Sequence, residues 1–167
     1  MVRVVLIPVF LLVLYIGFKY SHYAAMAVFV AASLTDIADG YIARRNDQVT
    51  DFGKFMDPLA DKVLVVAAIL WFVERGDIPA WVALIVIIRE FMVTALRLIA
   101  VDNGRVIAAA ISGKIKTIVS MVCLTAMFLP LKPWMIFACV VLITATTLIS
   151  GVEYFIKNKD ILNYGNR

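Results

Sequence analysis

Six apolar stretches alternate with short polar ones along the chain: residues 2–18, 23–42, 57–73, 79–101, 115–129 and 134–155. About 20 apolar residues are needed for a helix to cross the hydrocarbon core of a bilayer, and each stretch approaches or reaches that length. No stretch shows the strict alternation of a half-buried strand. Pro79 suits the first turn of a helix, and Pro130 and Pro133, flanking Leu131 and Lys132, end one span and begin the next. The pattern predicts an all-α integral membrane protein with six transmembrane helices. A signal peptide is a poor reading of the first stretch, because Phe18-Lys19-Tyr20 is bulky where a cleavage site needs small residues.

Composition sharpens this picture. The chain is 63% hydrophobic and 17% charged, where an average soluble domain is roughly 45–50% apolar and about 25% charged. Its 167 residues are enough for one transmembrane domain, residues 1–167, with no room for a large soluble one. The net charge of +4 does not point to nucleic acid in so apolar a chain. Instead it follows membrane sidedness. Arg3, Arg44, Arg45, Lys54, Arg105, Lys114, Lys116, Lys157, Lys159 and Arg167 fall on one side, and only Lys19, Arg75 and Lys132 on the other. Both termini, and the polar stretch after the second span, are therefore expected at the cytoplasmic face. Trp71, Trp81 and Trp134 fall near the opposite ends as an interfacial belt. Cys123 and Cys139 lie in apolar runs without metal-ligand spacing, and His22 lies in a polar turn. All three read as structural.

The candidate chemistry is concentrated in Asp36-x2-Asp39-Gly40-x2-Ala43-Arg44-x8-Gly53-x3-Asp57-x3-Asp61. Spacings of three and four put Asp36, Asp39, Gly40 and Ala43 on one helical face, and Gly53, Asp57 and Asp61 on another. A charge at membrane depth costs roughly 2.5–3.5 kcal/mol, so four carboxylates need compensation. Divalent cations supply it, and an oxygen-only donor set favours Mg²⁺ or Mn²⁺ over zinc. The small residues leave room for a bulky ligand near the backbone, and Arg44 offers a planar fork to phosphate oxygens. These are the parts of phosphoryl-group chemistry: metal clamp, counter-charge and candidate base. Helix capping would explain two of the aspartates at best. A small cation transporter would instead spread its carboxylates along a pathway near the midplane.

This pattern resembles, without departure, the signature of the CDP-alcohol phosphatidyltransferase family. The resemblance implies six transmembrane helices, usually in a homodimer, and a phosphatidyltransferase of lipid metabolism that uses a cytidine-diphosphate-linked lipid. It implies that Asp36, Asp39, Asp57 and Asp61 bind metal, with two ions expected, and that Asp61 also serves as general base. Asp39, Gly40, Ala43, Arg44 and Gly53 would contact the CDP and pyrophosphate. Relatives usually carry an Asn-Pro-containing amphipathic segment before the arginine that Arg3 resembles, and that segment is expected to be missing here.

The acceptor is read elsewhere. Residues 46–50, 53–62, 88–91, 96–97, 113–117 and 149–154 are similar to the bacterial branch of the family that transfers from CDP-diacylglycerol to glycerol 3-phosphate. That likeness implies phospholipid biosynthesis in a multi-pass bacterial inner-membrane enzyme, with its active site at the cytoplasmic face. Arg89, Arg97, Lys114 and Lys116 are the candidate acceptor-phosphate residues, since a neutral alcohol would not need them. Arg89, Val93 and Arg97 share one helical face of an apolar span, where a buried charge calls for a function. A Glu90–Arg97 pair is the plainer alternative, as is a membrane anchor for the two lysines. Inositol phosphate and serine remain alternative acceptors.

Overall fold

The computed structural model describes the backbone of residues 2–46, 51–102 and 110–158, and the side chains of residues 6–35, 62–100 and 110–158. Six helices follow in order: α1 Val2–Ile16, α2 Ser21–Asn46, α3 Asp51–Glu74, α4 Ala80–Asp102, α5 Ile111–Met127 and α6 Pro133–Lys157. No strand occurs among the described residues. Each expected apolar stretch carries one helix, but the helices overrun the apolar runs. A backbone that closes its own i→i−4 hydrogen bonds continues through polar sequence wherever no breaker stops it. The polar stretch at 44–53, expected to be a connection, is therefore helical at both ends. Likewise α5 starts at Ile111 and takes Gly113 and Lys114 into its first turn.

The chain turns where its residues demand it. Gly76, with φ of 80°, sits in the left-handed region. The Gly76 amide donates to the Val73 carbonyl (3.0 Å) and the Asp77 amide to the Phe72 carbonyl (2.9 Å). That double bond pattern satisfies the last carbonyls of α3. Pro79 directly precedes α4, and Pro133 occupies the first turn of α6, where its missing N–H costs nothing.

α1 packs on α2 and α3, α5 on α6, and α4 on α3 and α6. Four phenylalanines lock the first of these groups together. Phe128, which caps α5, lies 4.9 Å from Phe72, 6.0 Å from Phe10 and 6.1 Å from Phe29, centroid to centroid. A second cluster, Val93, Leu96 and Tyr154, joins α4 to α6. Many large apolar side chains among the described residues face outward, Leu12, Leu84, Phe91, Phe137 and Ile149 among them. In a water-soluble protein such a surface would be a large liability; lipid is its natural surrounding.

One helix, α6, is long and apolar enough among the described residues to cross a membrane, at 25 residues and a mean hydropathy of 2.3. α5 falls short at 17 residues, and α4 carries Arg89, Glu90 and Arg97 within its span. Of the expected tryptophan belt, Trp81 and Trp134 are exposed, whereas Trp71 is half-buried with its ring edge-on to Tyr15 at 5.3 Å. His22 lies in the first turn of α2 rather than in a turn between helices, 6.4 Å from the Trp71 ring.

Candidate active site

All eight positions of the aspartate signature stand on helix. α2 carries Asp36, Asp39, Gly40, Ala43 and Arg44; α3 carries Gly53, Asp57 and Asp61. The three- and four-residue spacings are therefore helical spacings. The two faces belong to consecutive helices that also contact each other. The side chains of these eight residues lie outside the described residues. Among the side chains that are described, no three carboxylate, thiol or imidazole groups gather as a metal site would need.

One residue further along α3 the described side chains begin, and with them a cluster of charges. Glu90, on α4, is its centre. Lys116 Nζ from α5 donates to Glu90 Oε1 at 2.7 Å, and Arg89 Nη1 donates to the same oxygen at 3.0 Å. Lys62 Nζ lies 3.9 Å from Glu90 Oε2. Lys62 also donates to the Thr94 hydroxyl, which itself donates to the Glu90 carbonyl at 2.7 Å. The cluster is well shielded: the side chains of Lys116, Arg89 and Glu90 are 4%, 12% and 16% exposed. At such burial ionic groups need pairing and hydrogen bonds.

Arg89 extends this cluster to α6, where its Nη2 donates to the Ser150 hydroxyl. Two glycines make the slot it occupies. A Cβ at Gly113 would stand 3.4 Å from Arg89 Nη2, and one at Gly151 would stand 3.4 Å from its Cγ. The Nε of Arg89 is buried without a hydrogen-bond partner. That donor is left over for a ligand or a water. A largely apolar cleft of about 190 Å³ lies between α3 and α4, lined by Val63, Val66, Ile87 and Phe91 together with Lys62, Glu90 and Thr94.

Of the four cations expected to hold an acceptor phosphate, Arg89 and Lys116 are brought together. Arg97 is eight residues from Arg89, about 12 Å along the axis. There its Nε donates to the Tyr154 hydroxyl at 3.3 Å and its guanidinium carbon lies 5.8 Å from the centre of that ring. Lys114 is exposed in the first turn of α5. The plainer Glu90–Arg97 pairing is not what forms. A seven-residue step is about 10.5 Å along a helix, while Lys116 comes straight across from α5. Lys62 was missed by the sequence reading. The available signal was a cation directly after the last carboxylate of the signature, at the start of an apolar run.

The chain is similar to known proteins. The profile of the CDP-alcohol phosphatidyltransferase family matches residues 1–150. The CDP-diacylglycerol–glycerol-3-phosphate 3-phosphatidyltransferase of Bacillus subtilis is 40% identical, the alignment covering 98% of this chain and 94% of the relative. A probable phosphatidylglycerophosphate synthase of Mycobacterium tuberculosis is 41% identical over 92% of this chain and 76% of the relative. The Escherichia coli CDP-diacylglycerol–glycerol-3-phosphate 3-phosphatidyltransferase is 39% identical over 91% and 87%.

Proposed function

The chain belongs to the CDP-alcohol phosphatidyltransferase family, and from that premise we propose that it transfers the phosphatidyl group of CDP-diacylglycerol to glycerol 3-phosphate and releases CMP, the activity of a phosphatidylglycerophosphate synthase. The relatives named for this reaction match more than nine-tenths of the chain. The structural observation that carries the acceptor assignment is the gathering of Lys62, the residue after Asp61 in sequence, with Arg89 and Lys116 around the Glu90 carboxylate.

The reading assigns the chain's own groups as follows. Asp36, Asp39, Asp57 and Asp61 hold divalent cations, Mg²⁺ or Mn²⁺ and two in number. Four oxygen donors on two contacting helices, with no imidazole or thiol among them, suit such ions. When bound, the metal supplies positive charge to the donor pyrophosphate. Gly40, Ala43 and Gly53 let the CDP approach the helix backbones beside Asp39, and Arg44 binds phosphate oxygens. Asp61 takes the proton from the sn-1 hydroxyl of glycerol 3-phosphate. The freed oxygen attacks the phosphorus that bears diacylglycerol, and CMP departs in line. Arg89 and Lys116 hold the acceptor phosphate, with Arg97 and Lys114 at the outer approach.

The same reading makes residues 1–167 a single domain of six transmembrane helices in a bacterial cell membrane. Both termini and the active site face the cytoplasm, and two copies form a homodimer. The basic residues described at the ends of α5 and α6, Lys114 and Lys157, support that orientation.

Lys116→Met tests the acceptor assignment. It removes a charge-assisted bond of the kind worth about 1.5–3 kcal/mol, so KM for glycerol 3-phosphate rises roughly 10- to 100-fold, while KM for CDP-diacylglycerol changes little. CMP release measured against each substrate gives both constants. An unchanged KM for glycerol 3-phosphate in folded Lys116→Met protein contradicts the assignment.

A further inference from the structure

We propose that a single buried water sits beside the charge cluster, held between Ser120 and Lys116, and that Ser120 is through it a positioning residue for the Lys116 ammonium. The positioning role rests on the reading of Lys116 as a ligand of the acceptor phosphate; the water site itself does not.

Several hydroxyls on these helices hide in the same way. Thr94, Thr117, Thr125, Thr144 and Thr147 each donate to the carbonyl four residues back, at 2.7–3.0 Å. That local bond satisfies the hydroxyl without help from any other helix. Ser120 does not make it: the residue is 1% exposed, and its Oγ is buried without a hydrogen-bond partner. A buried hydroxyl in that condition is costly, and buried polar groups of folded proteins are paired with protein or with ordered water.

A partner fits directly beside it. Ser120 lines a cavity of about 30 Å³, together with Lys62, Glu90, Lys116, Thr117 and three valines among the described residues. That is room for one water. An apolar cavity would stay dry, but these walls carry polar atoms, and a buried water needs about two to four of them. The walls include an ammonium donor, Lys116, and a carboxylate acceptor, Glu90. A neutral molecule that both donates and accepts suits such a lining better than an ion of either sign.

α5 sets the two ends of the bridge. Ser120 and Lys116 are four residues apart on this helix, so they share one face, and both are buried. The Lys116 ammonium has three hydrogens. One goes to Glu90 Oε1 at 2.7 Å. The water accepts another and donates in turn to Ser120 Oγ. An ammonium on a flexible four-carbon stem would otherwise swing about its bond to Glu90. With two hydrogens fixed, the third is left with one direction for a phosphate oxygen.

A structure of the purified protein at a resolution that shows ordered water tests the site. Density for one water within hydrogen-bond reach of Ser120 Oγ and Lys116 Nζ is expected, and a well-ordered cavity without it overturns the proposal. Ser120→Ala removes the hydroxyl and leaves Lys116 and Glu90 in place. KM for glycerol 3-phosphate is expected to rise about three- to tenfold, with kcat and KM for CDP-diacylglycerol within about twofold of the parent. Ser120→Asn puts a carboxamide in the water's place and is expected to return KM to within about twofold of the parent. Should Ser120→Asn fail to fold, Ser120→Thr, which keeps the hydroxyl, takes its place in the comparison. A hydroxyl that merely packs would change stability and not KM. An unchanged KM in folded Ser120→Ala protein therefore overturns the positioning role, as does a polar replacement no better than alanine. Failure of the acceptor reading looks different: the unsubstituted protein would release no CMP in response to glycerol 3-phosphate, while the water would still be seen.

Discussion

Asp61→Asn is expected to abolish phosphatidyl transfer and to leave a folded, membrane-inserted protein. The replacement has nearly the same shape, so α3, which continues from Asp51 through this position to Glu74, loses no packing volume. What is lost is the ability to accept a proton. Positioned acid–base groups contribute about 10²–10⁴-fold, and the same change removes one of four charges from the proposed metal-binding set, so kcat should drop at least about 10³-fold. The measurement is CMP release under saturating substrates, with circular dichroism and gel filtration on the same preparation. Turnover within about tenfold of the parent in folded protein contradicts the base assignment.

Removal of divalent metal is expected to have the second largest effect. Chelation is expected to bring transfer to background, and Mg²⁺ or Mn²⁺ to restore it. A readout besides activity follows from linkage. Ions that bind only the folded protein stabilise it by about 2.7 kcal/mol at one hundred times their dissociation constant, so the thermal midpoint rises with added Mg²⁺. That rise should be smaller in the Asp36→Asn and Asp57→Asn variants. Full activity in chelator, or a midpoint that does not respond to metal, contradicts the assignment of the four aspartates.

Much of this was legible in the chain, for definable reasons. The aspartate signature is local, and spacings of three and four hold their meaning on any helix, as α2 and α3 confirm by running through all eight positions. The six elements were legible because apolar runs of 15 to 23 residues alternate with prolines, glycines and charges. Their ends were not, because hydropathy reports where a helix meets lipid rather than where its hydrogen bonds stop. Arg44 and Gly53 accordingly fall on helix rather than between helices.

The charge cluster was half legible. Arg89 and Arg97 stand out as charges in an apolar span and Lys116 as a cation at the start of the fifth, but spacing along α4 alone offers Arg97 as the plainer partner of Glu90. Which neighbour lies across a helix face depends on packing, and α5 brings Lys116 from 26 residues away. Lys62 escaped for the same reason, since Thr94 and Glu90, which it meets, lie on α4. Nor did the tryptophan pattern distinguish Trp71, held against Tyr15, from the exposed Trp81 and Trp134.

The central claim is a metal-dependent transfer to a phosphorylated acceptor. Its most direct test is purified protein incubated with CDP-diacylglycerol, Mg²⁺ and labelled glycerol 3-phosphate, in parallel with labelled inositol phosphate and serine. The account predicts labelled lipid and equimolar CMP with glycerol 3-phosphate alone. Labelled lipid only with inositol phosphate or serine would contradict the acceptor assignment, and folded protein that transfers to none of them would contradict the reaction.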